Sequence, residues 1–175
     1  MRTFSHLKGS DVYDRNGDLL GSVWDVSISA DGKVNGLLLK TKSLTGKKML
    51  LPMKHVTFGK DCMIVHNKDD LQKYKENEDE YTMSSYQPIM RKNILSAEGK
   101  QLGKLNDVYF LEELGTIIGY ELTDGFFSDM TEGKQMIPIE RPPKIGKDAI
   151  IISENVMRGG VSDDQMSKLP KQRSR

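Results

Sequence analysis

A single cysteine, Cys62, among 175 residues excludes a disulfide framework or a thiolate metal cluster within the chain. Aromatic residues are scarce at 7%, so the placing of each one carries information. No apolar run approaches the roughly 20 residues that a membrane-spanning helix requires, and no membrane insertion is expected. The opening residues lack an apolar segment followed by a small-residue cleavage site, so nothing marks the chain for export and the cytoplasm is the expected compartment. Neither charge sign dominates: 26 basic against 25 acidic residues give a net charge of +1, far from the excess that a strong nucleic-acid binder spends on phosphates. With 37% hydrophobic residues, the composition fits a soluble globular protein of one ordinary domain or two small ones.

The near-zero balance hides a division. Residues 1–67 carry ten basic and six acidic groups, whereas residues 92–153 carry seven and ten. Opposite fields of this kind orient the halves of a molecule, or two chains of a homodimer, toward each other.

The sequence also repeats. Residues 12–28 lie over residues 94–110 at a constant offset: Gly17, Leu20, Gly21, Asp25 and Val26 recur as Gly99, Leu102, Gly103, Asp107 and Val108. Further on, Gly36 to Leu39 matches Gly119 to Leu122, Leu51 to Met53 matches Ile137 to Ile139, and Met63 to Val65 matches Ala149 to Ile151. Each copy is too long for a stacked solenoid and reads as a small domain. Short apolar runs alternate with Asn16-Gly17, Asp31-Gly32 and Glu98-Gly99, which supply the positive φ of tight hairpins. The expected fold is all-β, two small antiparallel barrels in tandem. Pro52 and Pro138 belong at strand edges or bulges, because proline donates nothing to a ladder. The boundaries drawn are 1–67 for the first barrel, 68–85 for a charged linker with a short helix capped by Asn67 or Asp69, 86–153 for the second barrel, and 154–175 for a tail with a short helix.

The sequence of Leu7, Gly9, Val12, Gly17, Leu20, Gly21, Val23, Asp25, Val26, Gly36, Leu51, Pro52 and Met63 to Val65 resembles the PRC-barrel domain. The second copy is similar, with Arg91 in place of Gly9. The tandem arrangement is similar to uncharacterised proteins of Bacillus-type bacteria. PRC-barrels occur in the cytoplasmic part of a photosynthetic reaction-centre subunit and in a ribosome maturation factor. The resemblance implies a non-catalytic interaction or adaptor module that docks a protein or ribonucleoprotein partner through a barrel surface, with no cofactor. Neither specific role carries over, since the anchoring helix of the one and the RNA-associated barrel of the other have no counterpart in these residues. The alternatives are a small-ligand sensor using the cleft between the barrels, and an enzyme with a site shared between the halves.

Asp25 and Asp107 are the acids to weigh, because aspartate is disfavoured in strands yet recurs at the same place. As a catalytic pair they would need to be close; as structural groups each would accept backbone N–H bonds at a turn or bulge. With Gly21, Pro52, Gly103 and Pro138 they form the structural signature. Asp14, Asn16 and Asp18 have the spacing of a calcium loop, but Leu19 stands where such a loop requires glycine. Cys62 and His66 lie about 13 Å apart on a strand, too far to share a metal, and His6 and His55 have no ligand-type neighbour in sequence. Lys40, Lys42, Lys47 and Lys48 read as a solvated edge. Trp24 is replaced by Asn106 in the second copy, and Phe126 and Phe127 occur in a segment that the first copy lacks. These three aromatics are the candidate interaction surface, against the other half, the linker or an external partner.

Overall fold

The computed structural model describes residues 1–42, 46–123 and 135–153. The chain opens with β1 (Arg2–Thr3) and one helical turn, α1 (Phe4–Leu7). The first copy continues through β2 (Asp11–Tyr13), β3 (Leu19–Ser29), β4 (Val34–Thr41), β5 (Lys48–Pro52), β6 (Val56–Phe58) and β7 (Met63–Val65). Between the copies lie β8 (Gln72–Lys73) and β9 (Glu80–Thr82). The second copy comprises β10 (Asn93–Ser96), β11 (Gln101–Phe110), β12 (Ile117–Thr123), β13 (Gln135–Pro138), β14 (Lys144–Ile145) and β15 (Ala149–Ile152). The result is two curled sheets in tandem, all-β as the turn spacing predicts.

One sheet runs β6-β7-β2-β3-β4-β5-β8 and the other β13-β12-β11-β10-β15-β14. Each is antiparallel apart from one parallel pairing, β2 with β7 and β10 with β15. That pairing corrects one detail of the repeat. Val12 pairs with Met63 and its counterpart Ile94 pairs with Ile150, so Met63 to Val65 corresponds to Ile150 to Ile152, one residue beyond the match read from the sequence. A slip of one residue exchanges the faces of a strand, and burial settles the matter: Met63, Val65, Ile150 and Ile152 are all buried.

The segment 68–85 is more than a linker. Asn67 caps a 3-10 turn over Lys68–Asp70, its side chain accepting from the Asp69 N–H. Beyond it, β8 extends the first sheet at β5, and β9 pairs with β3. Conversely β1, the first strand of the chain, pairs with β11 in the second sheet. Each copy therefore receives its leading strand from the other. Consistent with this exchange, the buried apolar side chains form one contiguous cluster running from Phe4 to Ile152, with members from both copies.

Local backbone choices support the ladder. The Asp14 carboxylate accepts from the Asn16 and Asp18 N–H groups, both at 2.9 Å, and Gly17 completes the turn with φ +86°. Asp14 is thus consumed by its own hairpin, as an Asx turn requires. Arg91 holds φ +69°, close to the +86° of Gly9, and donates to the Leu105 carbonyl as Gly9 donates to that of Val23. The second copy keeps the conformation of the first with a residue that rarely adopts it.

Candidate functional site

Both signature acids sit directly after a β-bulge. Val23 and Asp25 pair with the adjacent residues Leu39 and Leu38, leaving Trp24 as the extra residue. Leu105 and Asp107 pair with Leu122 and Glu121 in the same way, leaving Asn106. A bulge turns a side chain that would face solvent, and both aspartates are buried. Each reaches into the leading segment of the opposite copy.

Asp25 accepts from the Met83 N–H at 2.9 Å, the Ser84 N–H at 3.0 Å and the Ser84 hydroxyl at 2.9 Å, as well as from the Val26 N–H. Asp107 accepts from the Phe4 N–H at 3.0 Å and the Ser5 N–H at 3.2 Å, as well as from the Val108 N–H. The segments they hold are alike. Thr3 accepts from the His6 N–H and Thr82 from the Ser85 N–H through their hydroxyls. Each threonine satisfies one free donor of a tight turn and the aspartate from the other copy satisfies two more. Both acids accept backbone N–H groups, and the sequence did not indicate that these groups come from across the molecule.

The hairpin tips carry a further reciprocal contact. The Val34 N–H donates to the Gly115 carbonyl at 2.8 Å, and the Ile117 N–H to the Gly32 carbonyl at 3.2 Å. In these strand, carboxylate and tip contacts the two copies obey a pseudo-two-fold relation.

The PRC-barrel domain profile matches residues 1–72 and again 82–155. The chain belongs to the PRC-barrel family. Bacillus subtilis (strain 168) has a similar protein, named "Uncharacterized protein YrrD", 31% identical over 156 residues that cover 87% of this chain and 88% of the relative. In this PRC-barrel pair Gly21 is buried opposite Val12, where a Cβ would strike the Lys40 carbonyl. Gly103 takes the same place opposite Ile94. Pro52 and Pro138 each end a strand, facing Gly36 and Gly119.

The outer face behind the first bulge is apolar. Leu38 is fully buried yet lies outside the shared core, because it points away from its neighbours Leu37 and Leu39. Across from it stands Leu50. Trp24 is half-buried, with the Lys48 ammonium 4.7 Å from its ring centroid, a cation–π contact. Tyr74 is anchored alongside by its N–H to the Lys48 carbonyl at 3.2 Å. The linker thus lies beside the strand whose Lys48 stacks on Trp24. Trp24→Ala is expected to lower stability by about 2 kcal/mol, mostly through lost burial; an unchanged melting temperature in a thermal scan would contradict this packing role.

The second bulge replaces this group by a polar one. Asn106, Glu121 and Tyr109 stand where the first copy has Trp24, Leu38 and Ser27. Glu121 is buried and accepts from the Asn106 amide and, at 3.1 Å, from the Tyr109 hydroxyl. Burial, the hydrogen bond to Glu121 and its charge push the Tyr109 phenol up to about 12. Burial, with Glu80 and Glu76 nearby, pushes Tyr74 up to about 12 as well. An unfolded phenol ionises near pH 10. Between pH 10 and 12 the unfolded chain has therefore lost protons that the folded chain still holds, so stability that is complete below pH 10 falls as pH rises. Melting temperatures measured across that window should drop, and Tyr109→Phe should flatten part of the decline.

The remaining candidates do not converge. Cys62 lies in a turn before β7; the His66 ring pairs with the Thr57 hydroxyl at 2.9 Å, and His55 with the Asp70 carboxylate at 3.1 Å. Among the described residues there is no group of three or more His, Cys, Asp or Glu side chains placed to hold a metal, and no helix is long and apolar enough to cross a membrane. Phe126 and Phe127 lie outside the described residues. A hollow of about 590 Å³ opens between β5 and the linker, lined by Leu50, Lys73, Lys75 and the residues from Glu76 to Glu80. Sequence reasoning missed the exposed apolar group at the β11–β12 turn, Leu111 at 38% and Leu114 at 66%, next to Met1 at 51%, whose amino group pairs with Glu112. The first copy has Ala30 and Asp31 at the corresponding turn, so a comparison of the two tips would have found it.

Proposed function

We propose that this PRC-barrel pair is a non-catalytic adaptor that docks a protein or ribonucleoprotein partner through an outer barrel surface. The observation that carries the reading is the use of the buried acids. Asp25 and Asp107 each spend their carboxylates on N–H groups of the opposite copy, and Glu121 is engaged by Asn106 and Tyr109. An active site needs convergent groups with capacity left for substrate. The apolar tip at Leu111 and Leu114, bordered by Glu112 and Glu113, offers the kind of rimmed patch that marks a docking site. Affinity capture from the native cell at two salt concentrations tests this, comparing the native chain with a Leu111→Ser/Leu114→Ser variant. A specific partner held by the first and lost by the second, with melting unchanged, is the expected outcome; capture that ignores the substitutions counts against this surface.

The sensor alternative draws its support from a different place than the cleft between barrels, where Phe4, Phe110 and their neighbours form the shared core. It would use the hollow beside Leu50 and Lys73. A ligand that raises the melting temperature of the native chain but not of a Leu50→Trp variant would favour it.

A further inference from the structure

The main contacts between the copies come in reciprocal pairs, whereas the ion pairs of Met1 and Arg2 with Glu112 and the bonds of Ser27 and Asn35 to Glu80 have no counterpart. β1 lies on β11 while β9 lies on β3; Asp107 holds Phe4 and Ser5 while Asp25 holds Met83 and Ser84; Gly115 accepts from Val34 while Gly32 accepts from Ile117. An interface of this isologous kind is complete whenever a first copy meets a second copy, whichever chain supplies them. The covalent connection adds bonds of its own, from the Tyr74 N–H to the Lys48 carbonyl and from the Gln87 amide to the Asn77 and Glu78 carbonyls, but none of the reciprocal pairs requires it.

We infer that two chains exchange halves, the first copy of each pairing with the second copy of the other, to form a reciprocal dimer whose two interfaces reproduce the one within the monomer. The partner is a second copy of this chain. Charge favours this arrangement over like-with-like pairing: the first copy is basic and the second acidic, and complementary fields select the orientation while like fields oppose it.

The connection sets the balance between the closed and exchanged forms. Residues 74–79 join β8 to β9, and seven Cα steps reach at most about 25 Å. From β8 at one rim to β9 the connection crosses four strand spacings, roughly 19 Å, and runs from the level of Val23 to that of Ser29, roughly 17–20 Å along β3, so that only the curl of the sheet brings the two ends within reach. The native connection spans this with little to spare and gives the closed form an effective concentration on the order of millimolar. Removal of residues 75–78 leaves three steps, about 10 Å, and intrachain closure no longer fits.

The test uses the full chain carrying two distinguishable mass labels, unfolded as a mixture and refolded at about 1 mM, comparable with that effective concentration, and at about 1 μM, far below it. Native mass spectrometry after dilution is expected to show a dimer with the two labels mixed statistically from the concentrated sample, and monomer from the dilute one. A chain lacking residues 75–78 is expected to be a dimer even at micromolar concentration. Monomer alone from both refolding conditions overturns the inference, as does a folded monomeric deletion chain. A dimer that forms without unfolding and dissociates at once on dilution is ordinary surface association and overturns it too. If the deletion chain fails to fold, the refolding of the native chain decides by itself.

Discussion

Asp107→Ala is expected to melt roughly 10 °C or more below the native chain. The substitution removes the acceptor of the Phe4, Ser5 and Val108 N–H groups together. Of these, the Phe4 and Val108 bonds are buried. Hydrogen bonds to a charged group are worth about 1.5–3 kcal/mol each, and donors stranded in the interior cost a further desolvation penalty. Because the three share one acceptor their effects do not add, and a loss of about 3–5 kcal/mol is the reasonable sum. For a chain of this size each kcal/mol shifts the midpoint by roughly 2–4 °C. Asp107→Asn keeps one carbonyl oxygen as acceptor and should lose about half as much. Calorimetry of both variants checks the claim, and an alanine variant that melts within about 2 °C of the native chain, below the smallest shift expected, would refute it. Asp25→Ala should behave alike, with the Ser84 hydroxyl also left unpaired.

Gly115→Ala is expected to cost about 3 kcal/mol, from left-handed backbone strain of about 1–2 kcal/mol and from overpacking. Gly115 has φ +68°, and a Cβ there would collide with the backbone carbonyl of Val34. That atom belongs to the opposite copy and cannot swing aside as a flexible side chain does. The tip must withdraw, with loss of the bonds between Val34 and Gly115 and between Ile117 and Gly32. Gly99→Ala is the control: φ is +85° but nothing lies within 4 Å, so the strain remains without the collision. Urea unfolding should place Gly115→Ala well below Gly99→Ala; equal midpoints would mean that the crossing of the tips contributes nothing.

The repeat was legible because glycines, prolines and bulge aspartates punctuate a β chain at places where few other residues serve. Asp25 and Asp107 could be read as structural acceptors from their recurrence in strands. Their donors could not be read. Thr3, Phe4 and Ser5 correspond to Thr82, Met83 and Ser84 at an offset of 79, whereas Asp25 and Asp107 are 82 apart; the extra residues hide the leading segments from an alignment that begins at Val12. An exchange of strands leaves no local mark in any case, since the propensity of a strand does not depend on which copy it pairs with. The Ile150 register failed for a different reason: three successive isoleucines offer no face to choose between until neighbours bury one of them. The contrast of Trp24 with Asn106 was visible, while its complement, Leu38 with Glu121, required knowing that the two positions flank the same bulge.

The crossing of leading strands also governs how the molecule is made. Arg2 and Thr3 pair with Phe110 and Tyr109, so synthesis that starts at the amino end leaves the opening residues without their place until more than half the polypeptide has emerged. Contacts this distant in sequence delay folding, because ring closure must precede any reward. The first sheet can finish once Thr82 is out, yet Phe4 still lacks its socket. A product halted before Gln101 would therefore carry an orphaned apolar anchor at its tip, a ready target for chaperones and proteases.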